Sequence, residues 1–94
     1  MVRVLEILDA ITAAIPQVSD RKRDDFIALR KGLGYCWSVA VAVAPQAGKA
    51  MMARWLQSPD PDIRGIMREN LTKNRLTRMD AAWVAEAQQQ LAAS

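Results

Sequence analysis

Apolar residues recur along the start of the chain as Val4, Ile7, Leu8, Ile11 and Ile15. That i, i+3, i+4, i+7, i+11 spacing lines one face of an α-helix and predicts the first element, which Pro16 ends. The following stretch, 17–25, is polar and reads as a link in which Ser19 or Asp20 caps the next helix. From Phe26 to Pro45 the chain is apolar on most sides, through Leu29, Leu33, Tyr35, Trp37 and the run 39–43. A helix of that character is one packed on two sides. The alternating Val and Ala of 39–43 also fit a strand. No second strand exists for it to pair with, and no turn signal separates it from Leu29–Trp37, so the helix is the better reading. Gly32 and Gly34 each cost that helix about 1 kcal/mol relative to Ala, and close approach of a neighbouring helix is the expected compensation.

Pro45 suits the first residue of a third helix, which carries Met51, Met52, Trp55 and Leu56. Ser58-Pro59-Asp60-Pro61-Asp62 then forms a tight connector, with Asp60 as N-cap, Pro61 as first helical residue and Asp62 as an acid on the positive helix end. Further on, Asp80 caps a last helix, 81–93, with Trp83, Val84, Ala87 and Leu91 inward. The pattern predicts a single all-α domain over residues 1–94, with about five helices and short links. Its expected core comprises Ile7, Leu8, Ile11, Leu29, Leu33, Trp37, Val41, Met52, Trp55, Leu56, Ile63, Ile66, Met67, Leu71 and Trp83.

Composition narrows the chemistry. With 51% apolar residues, 24% charged and only four each of Gly and Pro, the 94-residue chain has the material for one core and too few breakers for disorder. Sixteen Ala against five aromatics favours helix over sheet. There is no His, so His-based triads, His general bases and His-ligated zinc are excluded. The single Cys36 forms neither an intramolecular disulfide nor an all-Cys zinc site, and its apolar neighbours suggest an inert, packed thiol. Glu6 and Asp9 spoil the amino-terminal segment as a signal peptide, and no uninterrupted apolar run reaches the roughly 18 residues of a membrane span. A cytoplasmic protein with no membrane partner and no cofactor is the expectation.

The segment Ser58-Pro59-Asp60-Pro61-Asp62-Ile63-Arg64 resembles the turn and second-helix start of a HEAT repeat, with Asp62 and Arg64 at the positions of that family's Asp and Arg. Asp25-Phe26-Ile27-Ala28-Leu29-Arg30 is a looser match, with Leu29-Arg30 standing thirty-four residues before Ile63-Arg64. More broadly, Arg30 to Arg78, including 33–40 and 68–76, is similar to bacterial HEAT-repeat proteins, some of them related to DNA alkylation repair helical-repeat proteins. The resemblance implies a right-handed α-α superhelix in which such Asp and Arg side chains link neighbouring units. It implies no catalytic residue in this chain. Solenoids need about three repeats to bury their faces and this chain holds about two and a half. A homodimer or attachment to a longer repeat array is therefore expected.

The candidate binding residues are Arg64, Arg68, Asn70, Lys73, Asn74, Arg75 and Arg78. On a continued helix after Pro61, Arg64, Arg68, Thr72 and Arg75 fall on one side, and Ile63, Ile66, Met67, Asn70, Leu71 and Asn74 on another. Between Arg64 and Arg78 five basic residues face one acid, Glu69, a local +4 where the whole chain carries +3. Such a stripe suits phosphates or an acidic partner. It also suits a solvated face, with Glu69 and Lys73 paired at i, i+4 and Arg75 and Arg78 near a helix C-terminus. Arg64 fits a structural ladder better than ligand binding. Asn70 and Asn74 suit either recognition of a partner's backbone or a bond to a neighbouring helix end. Trp37, Trp55, Trp83, Tyr35 and Phe26 suit core packing better than a base-stacking platform. Neither Gly32-Leu33-Gly34, which lacks the rest of a phosphate loop, nor the adjacent pair Asp24-Asp25 supports catalysis. The expected function is a noncatalytic protein-interaction scaffold, with nucleic-acid binding through the basic face as the alternative.

Overall fold

The computed structural model describes residues 2–93. Five helices account for nearly all of them: α1 (Val2–Ala14), α2 (Asp24–Val43), α3 (Pro45–Trp55), α4 (Pro61–Leu71) and α5 (Asn74–Ala93), with a 3-10 turn at Ile15–Gln17 carrying Pro16. No strand occurs among the described residues. The all-α expectation holds.

Helix ends follow local chemistry where it is strongest. Asp60 accepts hydrogen bonds from the backbone N–H groups of Asp62 (2.9 Å) and Ile63 (3.2 Å), and Pro61 opens α4 without needing its missing donor. Pro45 opens α3 in the same way. Asp80 is non-helical (φ −163°, ψ 88°) and accepts from the N–H of Trp83 at 3.0 Å, so α5 bends there and its long second half starts at a capped end. Ser19 and Asp20 do not cap α2, which begins after Arg23 with Asp24 and Asp25 in its first turn.

α2 is the central helix and packs against each of the other four. Among the described residues it is also the one helix long and apolar enough to cross a membrane by length and composition, although charged residues interrupt its apolar run. Trp37 and Val41 are fully enclosed, with Leu33, Phe26 and Ala40 beside them. Met52, Trp55 and Leu56 from α3, Ile63, Ile66, Met67 and Leu71 from α4, and Leu76, Val84, Ala87 and Leu91 from α5 complete the core.

Two members of the expected core lie outside it. Ile7 is 53% exposed and Leu29 is 40% exposed, while Ile11 and Trp83 are half-buried. The first helix carries two overlapping apolar stripes, and packing uses the one formed by Leu5, Leu8, Thr12 and Ile15. Thr12 is admitted because its hydroxyl donates to the Leu8 carbonyl (2.7 Å) and accepts from Trp37 Nε1 (3.1 Å). Cys36 is exposed, contrary to a packed thiol. Gly34 meets a neighbour, since a Cβ there would lie 2.7 Å from a Glu69 carboxylate oxygen, whereas Gly32 faces open space.

Candidate interaction surfaces

The basic stripe does not form as one helix face. α4 ends at Leu71, Thr72 and Lys73 turn the chain, and Arg75 and Arg78 lie in the short first part of α5, where Arg78 stands just before the non-helical Asp80 and so near a helical C-terminal end. The Lys73 residue outside the helix removes the i, i+4 geometry with Glu69. Glu69 instead lies over Gly34.

Two of the five cations are spent within the fold. Arg64 donates to the carbonyl of Leu91 and, at 3.4 Å, to that of Ser58, tying the end of α5 to the α3–α4 link. Arg75 stacks on the Tyr35 ring with its guanidinium 4.6 Å from the centroid, and donates to Ser38 Oγ at 2.8 Å. Arg68 and Arg78 are exposed and Lys73 is half-buried, and none of the three has an ion-pair partner among the described residues.

Asn70 and Asn74 are separated by the same break. Asn74 is exposed at the start of α5. Asn70 is fully buried and its amide is used within the fold: Oδ1 accepts from the Ser38 N–H of α2 (2.8 Å), and Nδ2 donates to the carbonyls of Leu33 on α2 (2.9 Å) and of Ile66 on its own helix (2.7 Å). It reads a helix backbone as expected of such a side chain, but the backbone belongs to its own chain. No buried side-chain polar atom lacks a partner among the described residues.

A charged cluster, absent from the sequence reading, ties the 17–25 link to α4. Arg21 bonds both Asp60 (2.7 Å) and Asp62 (2.9 Å), and Arg30 bonds Asp62 at 2.9 Å. The Arg21 guanidinium, followed by the N-cap hydrogen bonds, holds the Asp60 carboxyl below the usual carboxylate range, and the carboxylates raise Arg21 further above its ordinary value. Asp80 is lowered first by Lys49, 2.5 Å away, and then by the Trp83 N–H. Nothing local marks Arg21 among Arg21-Lys22-Arg23; its partners lie 39 and 41 residues on.

The opposite flank of the molecule is apolar. Among the described residues the exposed large hydrophobics are Val2, Val4, Ile7, Ile27, Leu29, Tyr35 and Val43, all on α1 or α2. Helical phase places Val4, Ile7 and Ile11 on one side of α1, and Leu29, Gly32, Cys36 and Val43 on one side of α2. Asp9, which accepts from Trp55 Nε1 at 2.7 Å, marks the α3 side of α1, and Val41, against Gly48, marks the α3 side of α2. Both apolar stripes therefore lie on the flank of the α1–α2 pair turned away from α3. Between Arg3 and Asp25, at its two ends, this flank carries no charge. An open cleft of about 610 Å³ lies at its Asp25 end, with Val18, Phe26 and Leu29 as apolar lining and Asp20, Arg23 and Asp25 as charged lining.

Comparison with known protein families, characterised proteins and solved structures finds no match.

Proposed function

We propose that this chain is a noncatalytic protein-interaction module, a cytoplasmic scaffold of HEAT type whose docking surface is the outer flank of α1 and α2. The observation that carries this reading is that four of the seven exposed large hydrophobics among the described residues, Val4, Ile7, Leu29 and Val43, fall on that flank. An uncharged apolar surface spanning two helices is the kind that docks proteins. The HEAT-type superhelical arrangement draws support from Arg30 and Asp62: the arginine of the earlier unit bonds the aspartate of the later one, as the ladder between such units requires. The core holds Asn70, Arg64 and Arg75 in place, which leaves them to the fold.

The alternative is nucleic-acid binding, favoured by Arg68, Lys73 and Arg78, which have no ion-pair partner among the described residues. Titration with a generic DNA duplex over a salt series separates the two. The interaction-module reading expects no duplex binding even at about 50 mM salt, where phosphate contacts are strong. Binding that falls steeply with salt and is lost in Arg68→Ala/Arg78→Ala overturns it.

A further inference from the structure

The α1–α2 flank is complementary to itself, and we propose that its occupant is a second copy of this chain, paired antiparallel about a two-fold axis near Cys36. This pairing rests on the reading of that flank as a protein-docking surface. One end of the flank holds its most exposed hydrophobics, Val43 at 61% and Ile7 at 53%. The other end is the cleft with Val18, Phe26 and Leu29 in its lining. A two-fold axis across the helices sets each end onto the other, so Ile7 and Val43 of one copy enter the cleft of its partner.

Three further features fit this occupant. Cys36 is midway in sequence between Leu29 and Val43, so an antiparallel α2 pair that sets those two residues together places the two thiols face to face. Gly32, with nothing within 4 Å of an added Cβ, leaves room for a close helix approach. The charge balance has the matching sign: Arg3 sits one turn from Ile7, and the cleft carries Asp20 beside the Arg23–Asp25 ion pair, a net charge of −1.

The area sets the strength. α2 is about 30 Å long and two packed helices are about 20 Å wide, so each copy covers roughly 500–600 Å². The total lies near the lower bound for specific interfaces. The chain's 5540 Å² of accessible surface is close to the roughly 5400 Å² expected of a folded monomer of its mass. Folded monomers thus associate reversibly, at micromolar concentrations.

Sedimentation velocity of the full chain across the micromolar range tests the pairing, with Ile7→Lys and Val43→Lys as variants and a short bis-maleimide as the Cys36 probe. Both substitutions are at exposed positions, and circular dichroism confirms the fold of each. The expected result is a concentration-dependent dimer, weakened more than tenfold by either lysine and covalently linked through Cys36 but not in Cys36→Ser. A monomer at every concentration overturns the pairing, as does a dimer that survives the lysines or yields no Cys36 link. A monomeric result leaves docking of a different protein on the flank intact, whereas duplex binding through Arg68 and Arg78 ends the interaction-module reading itself.

Discussion

The contact between α2 and α4 and the outer flank of α1 and α2 share a helix but differ in how the chain finishes them. At the first, every buried side-chain polar atom has a partner: Asn70 occupies the Ser38 N–H and the Leu33 carbonyl, Arg30 and Arg21 hold Asp62, and two glycines admit charged side chains from the opposite helix. A Cβ at Gly65 would collide with the Arg30 guanidinium, and one at Gly34 with Glu69. The second surface is aliphatic and uncharged over most of its length, with Val4, Ile7, Leu29 and Val43 exposed on it. Hydrogen-bonded polar groups at a helix contact fix its register, because a shifted neighbour would leave them unsatisfied. An aliphatic face with nothing on it costs solubility and is kept where something else covers it. The contrast assigns folding to one surface and leaves the other for the recognition proposed above.

The largest expected difference comes from truncating one residue in each region. Asn70→Ala removes three buried hydrogen bonds and orphans backbone groups, so it costs about 3 kcal/mol or more in chemical denaturation. Ile7→Ala, on the exposed flank, stays within about 0.5 kcal/mol. Equal losses would erase the contrast.

A smaller effect appears with pH. The folded Asp60 carboxyl titrates below its ordinary value, so the stability it contributes is complete above the unfolded pKa, near 3.9, and is lost as pH falls through the lower folded value. Asp60→Asn keeps a competent cap but gives up the Arg21 pair. It costs about 1 kcal/mol at neutral pH and flattens stability against pH below about 4. An unchanged acid limb in that variant would show that the cluster contributes little.

The smallest effect has the opposite sign. Gly32→Ala meets open space within a helix, so it raises stability by about 0.5–1 kcal/mol in the same denaturation assay. Gly48→Ala lowers it, because the new Cβ would lie 2.7 Å from Val41 Cα. A loss at Gly32 would mean that something in the monomer already packs there.

Elements set by local chemistry were legible in the sequence. Asp60 and Asp80 mark helix starts through bonds to residues within three positions, Pro45 and Pro61 mark them by ring geometry, and the structure has all three starts. The end of α4 was not, because 72–78 keeps helix-compatible residues and no Gly or Pro announces the break at Thr72. That break splits the predicted basic face and separates Asn70 from Asn74. Phase on α1 was equally hidden, since Val4, Ile7 and Ile11 make as good a stripe as Leu5, Leu8 and Thr12. Tertiary packing decides between them, with Trp37 supplying a partner for the Thr12 hydroxyl. The same ambiguity concealed the apolar flank: residues assigned to the core by spacing became its outer surface.

Affinity capture tests the division between the two surfaces most directly. The immobilised chain is offered a labelled copy of itself at low and high salt, with Ile7→Lys/Val43→Lys altering the apolar flank and Arg68→Ala/Arg78→Ala altering the basic side. The account predicts capture that survives high salt, persists with the arginine variant and is lost with the lysine variant, whose circular dichroism is unchanged. Capture abolished by salt and lost with the arginine variant, yet retained by the lysine variant, would contradict it.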